Sequence, residues 1–223
     1  MKTIIIAIRP KWVAKILNGE KIIELRKSMP SELPCRVLVY CTKSNDYLLN
    51  FDPLQNKETE WAVYPKKFVE ETNSHRAIIN GTNTGKIVAE FTLEEVKTIH
   101  DKPAGICDLN PNVPHPDWHH YYEMGLVSDK LLYGGDENSF SEEYGELLRK
   151  HSCLSQQQIF DYLNKDKNVI YGAKGYAWFI SNLAIFDKPK DLADYGLKRA
   201  PQSWCYAKEK PRDRLGKKEG EQR

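Results

Sequence analysis

The stretch Gly19-Glu20-Lys21-Ile22-Ile23-Glu24-Leu25-Arg26 sets a lysine, a carboxylate and a guanidinium inside what otherwise reads as a buried strand. This constrains the fold, because a charge withdrawn from water must find a partner. Strand alternation places Ile22, Glu24 and Arg26 on one face and Lys21, Ile23 and Leu25 on the other. Glu24 and Arg26 are spaced to pair and to leave donors over for an anion or a base edge. Lys21 stands at the start of the strand, on the side of two aliphatics. Loss of water there disfavours its charged form and suits it to act as base or nucleophile. The plainer reading of the same residues is a surface ion pair beside a lysine whose stem lies along apolar surface.

The flanking elements follow from local signals. Thr3 to Arg9 is a β-branched run and reads as a first strand. Pro10 suits the first turn of a helix that runs to Leu17 and stops at Asn18-Gly19, with Trp12, Val13, Ile16 and Leu17 spaced to pack on a sheet. Arg36–Thr42 makes a third strand. Residues 43–84 lose this regularity, apart from a helix around Tyr64–Glu71 and a turn-rich run ending at Gly85. Lys86–Leu93 reads as a strong strand that Val96–Ile99 extends. Residues 101–153 are rich in Pro, Gly, Asp and Asn and read as a loop-rich insertion with a helix at Ser141–Lys150. Leu154–Leu163 is an amphipathic helix, Tyr176–Phe186 one long strand, and Ala200–Tyr206 a last short one. Five or six strands with two main helices imply an α+β fold, a small and mostly antiparallel barrel.

Residues 1–207 therefore read as one domain with insertions at about 43–84 and 101–153. No segment approaches the ~20 apolar residues a membrane span needs, so no membrane partner is expected. The apolar start is broken by Arg9-Pro10, which argues against a secretory signal. Five cysteines, scattered and without a C-x-x-C pair, suit reduced thiols in a cytoplasm. From Lys208 to Arg223 seven basic residues face four acidic ones, a net +3, so the overall +2 leaves the preceding body at about −1. The tail, 208–223, reads as a basic, disordered end, with a phosphate-tracking arm as the sharper alternative.

In this order the pieces resemble the ASCH domain, a branch of the PUA-like superfamily. Ile8 to Lys21 looks like the family's opening strand and helix, and Glu24-Leu25-Arg26-Lys27 completes its G-x-K-x-x-E-x-R signature. Val39–Thr42 and Gly85–Phe91 resemble its middle strands; Tyr176–Ser181 and Leu197–Trp204 resemble its closing part. The resemblance implies a PUA-like pseudo-barrel with flanking helices, and a cleft beside the first helix in which RNA or a modified nucleotide binds. Some relatives are amidohydrolases that remove the acetyl group from N4-acetylcytidine, and others are reported as ribonucleases. Their catalytic lysine falls on Lys21 and their catalytic threonine on Glu24, a departure that removes the oxygen nucleophile. A metal-independent hydrolase would then use Lys21 and Glu24 as a base-and-carboxylate pair acting through water.

Binding candidates are Lys21, Glu24, Arg26, Tyr40, Gln202, Ser203 and Trp204. Trp204 stands out among the strand aromatics because Pro201-Gln202-Ser203 sets it beside a polar turn whose side chains can read a base edge. Cys107, His115, His119 and His120 suggest zinc, but Pro114 and Pro116 oppose a helix there and solvated loop histidines explain them better. No cofactor or metal is expected. Three function classes stay open: a binding module for RNA or a modified nucleotide, a hydrolase on a modified nucleoside or RNA, and a domain that recruits a protein through its insertions or tail.

Overall fold

The run Lys2-Thr3-Ile4-Ile5-Ile6-Ala7-Ile8 is strand β1, and it is apolar without alternation because both its faces are buried. In the computed structural model of the protein, the described residues are 1–51, 60–71, 83–103, 122–126, 142–163 and 174–207. After β1 come α1 (Pro10–Leu17), β2 (Ile23–Arg26), β3 (Cys35–Cys41), β4 (Asp46–Phe51), β5 (Glu60–Pro65), α2 (Lys66–Glu71) and β6 (Ile87–Leu93). They are followed by β7 (Val96–Pro103), β8 (Tyr122–Leu126), α3 (Glu142–Ser152), α4 (Gln156–Leu163), β9 (Lys174–Phe179), β10 (Ser181–Lys190) and β11 (Trp204–Tyr206). A short 3-10 turn, Leu192–Tyr195, lies before β11.

One sheet has the order β10-β6-β3-β1-β11, and a second has the order β2-β9-β7-β8. Strands β4 and β5 pair by themselves. Among the described residues every pairing is antiparallel except β1 with β3. A parallel pair needs a long connection, and α1 and β2 lie within it. The fold is thus α+β with mostly antiparallel sheets, as the sequence implies, and the sheets do not close into a barrel.

Ile4, Ile6 and Ile8 enter a core with Val13, Ile16, Val37, Val39, Phe91 and Trp178. Ile5 and Ala7 face the other way, onto Leu38, Tyr40 and Ile87, which Phe186, Leu192 and Leu197 cover. A third cluster joins Ile23 and Leu25 of β2 to Ile99, Ala177, Leu148, Ile159 and Leu163. The charged strand therefore rests its aliphatic face on α3 and α4.

Three sequence expectations change. Val96–Pro103 does not extend β6; it joins the other sheet, pairing with β8 and β9. Tyr176–Phe186 is two strands, not one. The Phe179 N–H donates to Glu95 O and the Ile180 N–H to Ile22 O, and Asn182 has φ 50°, so the chain changes sheets there. Residues 43–84 contain the β4–β5 pair, tied to the end of α1 where Asn18 Nδ2 donates to Trp61 O and the Trp61 N–H to Asn18 Oδ1, both at 2.9 Å. The strand and helix totals consequently exceed the sequence count even among the described residues. No helix among those residues is long and apolar enough to cross a membrane. The tail 208–223 lies outside them.

Helix α1 ends as its sequence indicates. Asn18 is the last αR residue, and Gly19 turns the chain at φ 75° with its N–H donating to Ile16 O. Space around Gly19 is open, so a side chain there meets only backbone strain. Gly19→Ala is expected to lower stability by ~1 kcal/mol in urea unfolding, and Gly19→Asn by less.

Candidate functional site

Between α1 and β2 the chain is not yet a strand. The Lys21 N–H donates to Lys15 O and the Ile22 N–H to His151 O. Alternation does not govern Lys21 there, and its side chain does not join Ile23 and Leu25 as the strand pattern implied. Its Nζ instead donates to Ile23 O and to Ser152 O, each at 2.8 Å, and lies 3.2 Å from Glu24 Oε2. Three acceptors match the three N–H bonds of an ammonium.

The other carboxylate oxygen, Glu24 Oε1, lies 3.0 Å from Arg26 Nη2. Arg26 Nη2 also donates to Ala7 O at 3.0 Å, and Nη1 donates to Ser203 Oγ at 3.2 Å. Arg26 Nε is buried with no acceptor. Lys21, Glu24 and Arg26 are 2%, 8% and 7% exposed, so this is a buried, three-membered ion network and not a surface pair.

The network floors a cleft of about 500 Å³. Arg9 and Trp12 line it at the start of α1, Thr42 just beyond β3, and the Gln202-Ser203 turn ahead of β11. Gln158 and Tyr162, four apart on one face of α4, line the remaining side together with Leu154, which stands just ahead of that helix. A reciprocal box sets the start of α4. Ser155 Oγ accepts the Gln158 N–H, and Gln158 Oε1 accepts the Ser155 N–H. Lys27 lies 5.5 Å from the centre of the Tyr162 ring and donates to Leu163 O at the helix's other end. Burial raises the Tyr162 phenol above the ordinary tyrosine range, while the Arg26 guanidinium nearby pulls it the other way. The Trp12 ring has Lys11 Nζ at 4.9 Å and Lys21 Nζ at 5.6 Å.

Of the sequence candidates, Lys21, Glu24, Arg26, Gln202 and Ser203 meet in this cleft. Tyr40 packs instead in the core with Ile5, Leu38 and Ile87, 3% exposed. Trp204 stands edge-on to Trp178 and Tyr206 and donates its indole N–H to Ser28 Oγ at 3.0 Å. Arg9, Trp12, Thr42, Gln158 and Tyr162 are lining residues that sequence reasoning missed. Trp12 and Tyr162 did carry a signal, helical spacing, but that spacing serves packing equally well. Cys107, His115, His119 and His120 lie outside the described residues, among which no three metal-ligating side chains gather. Among the described residues Glu24 is the one carboxylate lining the cleft, and both its oxygens are ion-paired.

No protein-family model matches the chain, and no curated protein matches it. Among solved structures it is similar to ASCH from Zymomonas mobilis, at 14% identity and a TM-score of 0.47, over 93% of this chain and 88% of that one. A tyrosine-to-phenylalanine mutant of the same Zymomonas mobilis protein gives 14% and 0.47, over 93% of this chain and 91% of that one. A serine-to-alanine mutant gives 15% and 0.46, over 93% and 89%.

Removing Glu24 leaves two buried cations side by side. Glu24→Ala is expected to cost ~3 kcal/mol or more in denaturant unfolding. Breaking the more exposed Arg36–Glu90 pair with Glu90→Ala is expected to cost under ~1 kcal/mol. Next to Thr42, burial pushes the Cys41 thiol up to about 12. Cys41 is accordingly expected to resist iodoacetamide at pH 8 in the folded protein and to react once urea unfolds it.

Proposed function

We propose that the cleft is a binding site for one nucleoside or nucleotide unit, free or within RNA, with modified bases among its ligands. The observation that carries this reading is the cleft of about 500 Å³ floored by the Lys21–Glu24–Arg26 network. Sites for small molecules span roughly 300–1,000 Å³ and combine apolar walls with a few placed polar groups. Here Trp12 and Tyr162 offer ring surface, while Gln202 and Ser203 offer donors and acceptors to a base edge.

Holding suits the site better than turnover. All three N–H bonds of Lys21 are committed, so in this reading the residue is a fixed part of the floor. The amidohydrolase chemistry expected from the family resemblance would have to release one of them. A domain that recruits a protein gains no specific support from the cleft.

Tyr162 and Gln202 are exposed enough to replace without unfolding the chain. Tyr162→Ala is expected to weaken binding of short single-stranded RNA or modified nucleosides by about 10-fold, as loss of one stacked ring does. Tryptophan fluorescence titration reads the affinity. Wild-type affinity in both Tyr162→Ala and Arg26→Lys would defeat the reading. A hydrolysis product from acylated nucleosides, formed by the wild type and lost in Lys21→Ala, would turn it into an enzyme.

A further inference from the structure

We infer that the cleft reads its ligand through hydrogen-bond donors, and so selects a base that presents a carbonyl oxygen where a rival presents an amino group. The inference rests on the nucleotide reading above and narrows it: a keto base such as uracil is favoured over its amino counterpart, cytosine.

Two groups on different walls carry this selection. The first is Ser203, in the turn ahead of β11. Its carbonyl accepts the Ala7 N–H at 2.8 Å, Ala7 O accepts Arg26 Nη2 at 3.0 Å, and Arg26 Nη1 donates to Ser203 Oγ at 3.2 Å. These bonds close a ring through β1, β2 and the turn, which fixes the hydroxyl in place. A guanidinium only donates, so Ser203 Oγ is the acceptor there and its own proton points elsewhere. Among the described residues that proton has no second partner, and Ser203, half-buried, lines the cleft. Bonding to a cation also polarises the hydroxyl and strengthens it as a donor.

The second group is Gln158, on α4. A backbone N–H only donates, so the reciprocal box at the start of this helix settles which end of the amide is which. Gln158 Oε1 faces the Ser155 N–H at 3.0 Å, and the amide NH2 is left over on an exposed side chain that lines the cleft. Acceptors on the cleft side are largely committed. Ala7 O holds Arg26, and each Glu24 oxygen already faces a cation. Among the described residues the lining carries Arg9, Lys21 and Arg26 against Glu24 alone, a field that favours the negative end of a carbonyl dipole. Gln202 and Thr42 can turn to either role, so the bias comes from the two fixed donors. An amino group set against either one brings N–H against a donor and leaves both unmatched.

Calorimetric titration with uridine and cytidine, free and as short homopolymers, tests the assignment. Uridine is expected to bind ~10-fold more tightly than cytidine. Gln158→Glu keeps an oxygen for the Ser155 N–H, so the start of α4 and the melting temperature should be retained. The variant replaces the free NH2 by an acceptor, and it should erase or reverse the preference. Ser203→Ala should reduce the preference as well, and Ser203→Thr, which keeps the hydroxyl, should restore it. Equal binding of the two by the wild type, or a preference for cytidine, overturns the donor reading while sparing the nucleotide one. A preference unchanged in Gln158→Glu and Ser203→Ala alike overturns it too. Absence of binding by every one of these ligands overturns both readings.

Discussion

A carboxylate held between two buried cations governs the arrangement of this protein. Lys21, Glu24 and Arg26 are all nearly removed from water, and desolvation of that kind is repaid only when every charge is paired and hydrogen-bonded. The partners come from distant parts of the chain. Ala7 belongs to β1, Ser152 ends α3, and Ser203 stands just ahead of β11. Satisfying one strand's charges therefore requires β2, the first sheet and the α3–α4 segment to be in place together. The aliphatic side of β2 acts in the same sense, because Ile23 and Leu25 share a core with Leu148, Ile159 and Leu163.

Elements with local signals were legible in the sequence. Strand β1 and helix α1, with Pro10 at its start and Asn18-Gly19 at its stop, lie within a residue or two of where the pattern puts them. The failures share a tertiary cause. Ile180 takes its backbone partner from Ile22, so a run that reads as one strand is shared between two sheets. No propensity at Tyr176–Phe186 encodes that exchange. Strand β4 was missed because Leu48 and Leu49, though buried, sit in a short run flanked by Asp46 and Asn50.

The site divides along the same line. Its charged floor was legible because a lysine, a glutamate and an arginine in an apolar run demand explanation. Its walls were not. Trp12 and Tyr162 occupy helical positions where an aromatic serves a core or a cleft equally well, and only the approach of α4 to β2 decides. Tyr40 illustrates the converse: alternation put it on a definite face of β3, but not which face looks at the cleft. Lys21 shows a limit of periodicity itself, since a residue two steps ahead of a strand is free of the strand's alternation.

Charge distribution follows from this geometry. Residues 1–207 carry about −1 in total, yet among the described residues three cations and one carboxylate line the cleft. The positive field is thus local and is offset over the rest of the body. At physiological salt exposed charges are screened beyond about 8 Å, whereas groups within a cleft are screened much less. Such a surface attracts little at long range and acts strongly only on what has already entered. Tracking a long polyanion needs an extended basic stripe, and each phosphate neutralised adds to the salt dependence. A single unit held at one depression needs only the cations that line it. Under the nucleotide proposal, the cleft therefore suits one group at close quarters better than nonspecific adhesion along a strand, with a correspondingly shallow salt dependence.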